Sequence, residues 1–410
     1  MKPGLVETLK ARGFIHQATD LDGLDALAAE RPITAYIGFD LTAPSLHVGS
    51  LIQIMALRCL IAQGHKAIIV LGTSTTQIGD PSGKDTSRPI LPISEIEQNL
   101  IGIENVLTRL VPGAEFIEND WFNLNYIEFL RHYGPLFTVN RMLALDSVKS
   151  RLDRKEPMTF LEFNYTILQS IDFLELASQH GVDLQIGGSD QWGNIVGGAD
   201  LTRRVMQKNV FGLTTPLMTN AAGEKMGKTA GGAIWLDAER TSPFDFWQFW
   251  RNIDDDRVEP FFYLFTEGLE HAADHGFSVH GPGINAMKAI LADEVTKLVH
   301  GEDAARQARA TAEMILSGGV GPDTPVVEFT KLELLSGRER ITIVDALLRT
   351  GLVSSKGDGD RQAKNGGVKI NGEVITDVRR HFTPEDFLPD DETIRLSLGK
   401  KKVVALRMTP

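Results

Sequence analysis

Thr34-Ala-Tyr-Ile-Gly-Phe39, a proline-containing turn, residues 47–63 ending before Gly64, and Lys66-Ala-Ile-Ile-Val-Leu-Gly72 together decide the fold. The first and last stretches are rich in β-branched and aromatic residues, so both are expected as buried strands. The stretch between them is expected as a helix that stops at the glycine. Strand, helix, strand in that order is the unit of a parallel sheet with helices on its faces. Working outward, helices are expected near 94–110, 123–133, 141–153 and 159–180. Short strands are expected near 114–118 and 183–187, with a further helix from about 190.

The remainder of the 410-residue chain is too long for one core, so two or three domains are expected. Residues 1–219 read as the sheet domain and 220–317 as a glycine-rich lysine loop followed by helices. Residues 318–340 read as a linker, opening on Gly318-Gly-Val-Gly-Pro-Asp-Thr-Pro325. Residues 341–410 read as a small α+β module: helices at 341–350 and 360–365, a strand at 368–371, and a hairpin of 393–398 with 402–407. The fold class is therefore α/β, with a Rossmann-like parallel-sheet domain, a helical domain and a small C-terminal module.

Composition narrows the class. Apolar residues make up 42% and charged residues 23%, as in ordinary globular proteins. No apolar run has the length of a membrane span, and Met1-Lys-Pro-Gly-Leu-Val-Glu7 has no signal-peptide h-region, so a cytoplasmic protein is expected. The single cysteine, Cys59, permits no internal disulfide and lies among apolar residues, where a structural role is the expectation. The net charge is −12, yet residues 331–410 hold 15 basic against 12 acidic residues. An acidic body with a mildly basic tail suggests a phosphate-contacting module at one end of an enzyme.

Three clusters carry chemistry. His47-Val-Gly-Ser50 falls where the first strand meets its helix, and a helix N-terminus offers unpaired N–H groups to phosphate. Gly49 lets a flat ring approach the backbone. Lys225-Met-Gly-Lys-Thr229 sets two ammonium groups three residues apart, able to neutralise charge on a leaving pyrophosphate. Gly187-Gly-Ser-Asp-Gln-Trp-Gly-Asn194 lies between them. Taken singly, a capping histidine and a solvated basic loop are the commoner readings; the three together favour a nucleotide cleft. Gly79-Asp-Pro-Ser-Gly-Lys84 lacks the spacing of a P-loop.

Tyr165, Gln169 and Asp172 are spaced to project from one face of a helix that is otherwise apolar. Such polar groups are costly unless partnered. On spacing alone two readings stand open: they satisfy one another and the backbone, or they line a pocket for a ligand with a hydroxyl and an ammonium. Asp40 and Thr42 sit at the C-terminal end of the first strand, where open α/β sheets bind ligands.

With these residues in view, the chain resembles the class I aminoacyl-tRNA synthetases. His47–Ser50 stands in place of the HIGH motif and Lys225–Thr229 in place of KMSKS. Ser50 replaces the second histidine, and Gly227 and Thr229 replace serines. Within the class the likeness is to the bacterial tyrosyl enzymes, over about 34–255 and again in the tail. The resemblance implies that Tyr36 and Asp172 bind the substrate phenol, that Asp80, Tyr165 and Gln169 hold its α-amino group, and that Gln191 lies near its carboxyl end. It implies a contact of Asp40 with the amino acid or adenylate and of Thr42 with the phosphates. Gly38, Gly49, Ser50, Gly188, Asp190, Lys225, Lys228 and Thr229 are the expected ATP-binding set, with Asp190 on the ribose and Lys84 and Arg88 assisting the pyrophosphate. The expected transition-state contacts are His47, Lys225 and Lys228, assisted by Thr42, in a reaction that uses ATP with Mg²⁺ and has no dedicated metal site.

The tail, in Ile343-Val-Asp-Ala-Leu-Leu-Arg-Thr-Gly-Leu-Val-Ser-Ser-Lys356 and Lys364-Asn-Gly-Gly-Val-Lys-Ile-Asn-Gly-Glu373, is similar to an RNA-binding module shared with a ribosomal protein. Arg349, Lys356, Arg361, Lys364, Lys369, Arg379 and Arg380 are its candidates for contact with tRNA(Tyr). Gly357-Asp-Gly-Asp-Arg-Gln-Ala-Lys364 replaces the richer basic helix usual there. The resemblance also implies a homodimer formed through about 120–160. The competing readings are a tryptophanyl enzyme, another HIGH-type nucleotidyltransferase, and a catalytically silent RNA-binding descendant. His271 and His275, one helical turn apart without an evident third ligand, read as surface residues.

Overall fold

Residues Thr34–Asp40 and Lys66–Gly72 pair in parallel along their whole length, from Thr34 opposite Lys66 to Asp40 opposite Gly72. They are two strands of a six-stranded sheet made of β1 (Gln17–Ala18), β2 (Thr34–Asp40), β3 (Lys66–Gly72), β4 (Glu115–Glu118), β5 (Leu184–Gly188) and β6 (Phe211–Thr215). The order is β1-β6-β5-β2-β3-β4, and every neighbouring pair is parallel except β1 with β6. Chain order therefore runs outward from β2 through β3 and β4, then restarts on the other side with β5. This reversal between β2 and β5 opens a crevice at the C-terminal ends of the strands. The computed structural model describes residues 3–82, 89–229, 232–266, 283–316, 320–321, 324–336, 340–388, 393–399 and 402–409.

The expected helix over 47–63 resolves into a 3₁₀ turn, Val48–Ser50, and an α-helix, Leu51–Ala62, with His47 as the residue that caps the turn. That helix is apolar nearly all round, burying Leu51, Ile52, Ile54, Met55, Ala56, Leu57, Cys59 and Leu60. Each large aliphatic side chain so buried contributes about 1.5–3 kcal/mol, enough to hold the crossover rigidly under its cap. Burial also pushes the Cys59 thiol up, with Arg12 pulling the other way, which suits a structural cysteine. Arg12 is itself tied to the carbonyls of Tyr263, Leu264 and Thr266.

Two expected helices are broken. The stretch 159–180 divides into Phe160–Phe163 and Tyr165–Gln179, and Thr159 and Glu162 form a capping box that opens the short first piece. Glu162 is further committed to a buried ion pair with Arg151, 2.9 Å. The stretch 141–153 divides likewise into Val139–Leu143 and Asp146–Asp153. Strands β1 and β6 had no counterpart in the sequence expectation. The first is two residues long, and the second, Phe-Gly-Leu-Thr-Thr, reads as a strand only once β5 is beside it.

The chain divides into two compact units. One comprises residues 1–242 with 252–295, and the other 243–251 with 296–410. The expected domain boundaries at 219 and 317 are a different partition of the chain from these two units. In the second unit, helix Pro243–Arg251 lies with helix Glu302–Leu316. The expected linker 318–340 contains strand Val326–Thr330 and helix Lys331–Leu334. Val326–Thr330 pairs in parallel with Ala405–Thr409, an edge position that no local turn signal announces. Phe329 and Leu334 belong to the same apolar core as Ile343, Leu347, Val368, Ile394 and Leu406.

One close contact positions the site. Gly102, inside helix Ile93–Leu110, faces Pro44 so closely that a methyl group there would overlap the Pro44 carbonyl. Pro44 lies in the turn leading to His47. Gly102→Ala is expected to cost about 1–3 kcal/mol as a lower urea midpoint with unchanged slope.

Candidate active site

Strand ends assemble the site. β2 delivers Tyr36, Gly38 and Asp40; the turn after β3 delivers Thr75 and Thr76; the segment after β4 delivers Asn119 and Trp121; and β5 runs into Gly188 and Asp190. Helix Tyr165–Gln179 crosses above with Tyr165, Gln169 and Asp172. Gly38 is exposed in the middle of a central strand whose neighbours Tyr36 and Ile37 are buried. A Cβ on Gly38 would meet nothing within 4 Å. Space of that kind over an interior strand is a cleft.

At the inner end, Asp172 is 5% exposed. It accepts from Trp121 Nε1 at 3.0 Å and from Asn119 Nδ2 at 3.4 Å. Burial raises its carboxyl to about 8 even though these two donors favour ionisation and nearby Asp40 opposes it. Tyr36 is 1% exposed, stacked edge-on against Phe173 at 5.4 Å. Its hydroxyl is buried with no partner among the described residues, and so is Oε1 of Gln169. Buried polar atoms are nearly always paired, so two orphans on the lining of one cleft indicate groups that await a ligand.

Further out, Tyr165 donates to Asp40 Oδ2 at 3.0 Å, and Thr75 donates to Asp40 Oδ1 at 3.0 Å. Asp80 accepts from Gln191 Nε2 at 2.6 Å and from the Ser82 N–H at 2.9 Å. Burial, followed by the charges of Asp40 and Asp80 and more weakly Asp172, pushes the Tyr165 phenol well up. Three carboxylates therefore surround one hydroxyl. A cleft of this kind attracts an ammonium group.

At the outer end, His47 Nδ1 accepts from the Gly49 N–H at 3.0 Å, which places the proton of the neutral ring on Nε2. The sequence placed His47 at the start of the helix expected over 47–63. In the structure it precedes the first turn in extended conformation, and Ser50 opens the α-helix without a side-chain cap bond. Thr42 is exposed, in a turn pinned by Thr76 to the Leu41 N–H and by Asn99 to the Leu41 carbonyl. A Cβ on Gly188 would crowd Asp190 Oδ1 and Leu217. Lys225 Nζ lies 3.2 Å from Asp190 Oδ2.

The lysine loop rests on the His47 turn. Gly227 has φ +108°, and a Cβ there would come within 3.2 Å of His47 Nδ1, so only glycine fits both the conformation and the approach. The Val48 N–H bonds the Ile234 carbonyl, and Ile234 N–H bonds the Gly227 carbonyl. Lys228 and Thr229 pair through their backbone with Ala233 and Gly232; the placement of their side chains lies outside the described residues. So do Lys84, Arg88, His271 and His275.

Asn119, Trp121 and Thr75 went unread in the sequence. Asn119-Asp-Trp121 directly follows β4, and the strand-end rule that picked out Asp40 would also have reached it. In the tail, Arg349 pairs with Glu333 at 2.6 Å and lies over Phe329, Lys356 pairs with Asp345 at 2.6 Å, and Arg361 pairs with Asp358 at 2.7 Å. Arg379 pairs with Asp360 and Arg380 with Asp386. Lys364 is exposed and Lys369 half-buried.

Comparison with known proteins covers both the cleft and the tail. A family model described as tRNA synthetases class I (W and Y) matches residues 28–317, and one described as the tyrosine–tRNA ligase SYY-like C-terminal domain matches 324–406. The tyrosine–tRNA ligase of Caulobacter vibrioides is 49% identical over 99% of this chain and 98% of its own length. That of Xanthobacter autotrophicus is 48% identical over 98% and 97%. Among solved structures, a C-terminally truncated mitochondrial tyrosyl-tRNA synthetase of Aspergillus nidulans is similar with a TM-score of 0.68 at 29% identity. It covers 75% of this chain and 93% of that one.

Because its folded carboxyl is raised from 3.8 to about 8, Asp172 keeps a proton that the unfolded chain has lost. Its contribution to stability is therefore complete below about pH 4 and is lost as pH rises to about 8. Asp172→Asn should flatten this part of the profile, by on the order of 1 kcal/mol per pH unit, in urea midpoints measured from pH 5 to 8.5.

Proposed function

This chain belongs to the tyrosine–tRNA ligases of the class I tRNA synthetases, and from that premise we propose which of its residues carry the reaction. Tyrosine and ATP give tyrosyl-adenylate and pyrophosphate; the tyrosyl group then passes to the 3′-terminal ribose of tRNA(Tyr). In the first step a tyrosine carboxylate oxygen bonds to the α-phosphorus and the bond to pyrophosphate breaks. No protein nucleophile or base is needed, so the protein contributes positioning and charge stabilisation.

The observation that carries this assignment is the pairing of an orphan Tyr36 hydroxyl with a desolvated Asp172 in the inner cleft. A phenol can accept from the first and donate to the second. An indole has only an N–H to donate, which disfavours a tryptophanyl enzyme. A donor directed at Asp172 also favours its ionised form. Asp80, Tyr165 and Gln169 are assigned to the substrate ammonium, with Asp40 close by, and Gln191 to the carboxyl end. Gly38, Gly49 and Gly188 leave room for the nucleotide, Asp190 takes the ribose, and Ser50 and Thr229 complete the contacts. His47, through Nε2–H, and Lys225 and Lys228, with Thr42, stabilise the phosphates in the transition state. This phosphate-facing set is cationic. Mg²⁺ accordingly enters with ATP as part of the substrate.

The second unit's module is assigned to tRNA. Its internal carboxylates already engage Arg349, Lys356 and Arg361, so Lys364 and Lys369 are the cations most available to phosphate. We assign a homodimer to the segment near 120–160. Nine of the nineteen exposed large apolar residues among those described fall between Leu124 and Leu161, including Tyr126, Ile127, Val139 and Phe160. Exposed apolar side chains at this density in one segment support an interface with a second copy. No helix among the described residues is long and apolar enough to cross a membrane, and a single buried cysteine suits the reducing cytoplasm.

Amino-acid-dependent exchange of labelled pyrophosphate into ATP tests the assignment. Exchange driven by tyrosine is expected; exchange driven by tryptophan, or none at all, defeats it. Tyr36→Phe should lower kcat/KM for tyrosine by roughly tenfold, the value of one buried hydrogen bond, with little effect on phenylalanine. Ile127→Asp with Phe160→Asp should convert a dimer to a monomer in sedimentation equilibrium. Affinity for tRNA should fall steeply with added salt.

A further inference from the structure

The root of the lysine loop is bolted to a helix that lies outside the reaction cleft. Residues 220–224 form a closed turn. The Asn220 N–H bonds the Glu224 carbonyl, the Gly223 N–H bonds the Asn220 carbonyl, and the Asn220 side chain bonds both the N–H and the carboxylate of Glu224. Two residues at the start of helix Asp255–Phe265 reach this turn. Asp254 Oδ2 accepts from the Ala221 N–H at 2.9 Å, and Arg257 Nη2 donates to the Asn220 carbonyl at 2.9 Å.

Both residues depart from what their helix asks of them. Asp254 is the N-cap, where an aspartate ordinarily accepts from the N–H two or three residues on, yet its side chain makes no cap bond. Its carboxylate is turned to the loop instead. Arg257 is a cation in the first turn, where the helix dipole disfavours positive charge. Its Nε is also buried with no partner among the described residues. Local helix energetics explains neither placement. A common partner does: the two ends of one peptide unit, the Asn220 carbonyl and the Ala221 N–H.

We propose that Asp254 and Arg257 are positioning residues for adenylate formation, which fix the hinge of the lysine loop so that Lys225 and Lys228 meet the departing pyrophosphate. The inference rests on the assignment of those lysines made above. Past this root the Met226 N–H bonds the Met218 carbonyl and the Gly227 carbonyl accepts from the Ile234 N–H, so Lys225 sits between two fixed backbone points and the direction of its ammonium group depends on where the root is anchored. Both anchors touch backbone atoms of the loop rather than its side chains.

Single-turnover adenylation with the full chain tests this, on Asp254→Ala, Arg257→Ala, the double variant, Asp254→Asn and Lys225→Ala. Each alanine anchor variant should slow adenylation by roughly 3- to 10-fold, the worth of one hydrogen bond, and the double variant more. Tyrosine affinity by equilibrium dialysis should stay unchanged, which also certifies a folded pocket. Asp254→Asn keeps an acceptor oxygen and should retain most of the rate. Trypsin should cut after Lys225 faster in the double variant. The proposal is overturned if Lys225→Ala is slow but the anchor variants keep the parent rate, or if they lose tyrosine affinity and adenylation in the same proportion. If Lys225→Ala itself keeps the parent rate, the assignment of the lysine loop fails instead, and the anchor proposal with it.

Discussion

Crowding of Asp40, Asp80 and Asp172 into one partly dry cleft is the constraint on which the catalytic unit depends. Like charges repel strongly where water is scarce. Here each carboxylate is held by neutral donors: Tyr165 and Thr75 on Asp40, Gln191 and the Ser82 N–H on Asp80, Asn119 and Trp121 on Asp172. Neutral donors orient a carboxylate without cancelling its charge. With Asp172 raised to about 8 and so still protonated at neutral pH, the uncancelled charge of this cleft lies on Asp40 and Asp80, and the polar edge of the sheet is arranged to supply those donors.

That requirement explains the parallel architecture better than any single strand does. Donors to the three carboxylates come from the ends of β3 and β4, from the helix above the sheet and from the turn after β5. Only a sheet whose strands all end at one edge, with its order reversing between β2 and β5, brings them within bonding distance. The apolar helix Leu51–Ala62 and the core around Tyr36, Phe173 and Leu176 then hold that edge rigid.

The phosphate end works on the opposite principle. Here the parts are a capped turn at His47 and a glycine-bearing hairpin laid against it, so the lysines sit on a loop while the carboxylates sit at strand ends and on a helix. Lys225 rests on Asp190. An exposed pair of this kind is worth little, so it holds neither side chain firmly in place.

Much of the chemistry was legible in the sequence because it resides in residue types at short spacing. The β2–helix–β3 unit, the face shared by Tyr165 and Asp172, and the two lysines all follow from periodicity and local charge. What stayed hidden depends on neighbours distant in the chain. β6 and Val326–Thr330 become strands only through partners supplied by the fold, since a short strand has no internal hydrogen bonds to stabilise it. Asn119 and Trp121 acquire a role only because Asp172 is packed against them. Residue identity thus determined which groups could bind a phenol, an ammonium and a polyphosphate. Tertiary structure alone decided which of those groups remain unpaired, because burial and pairing belong to surroundings that no local stretch contains.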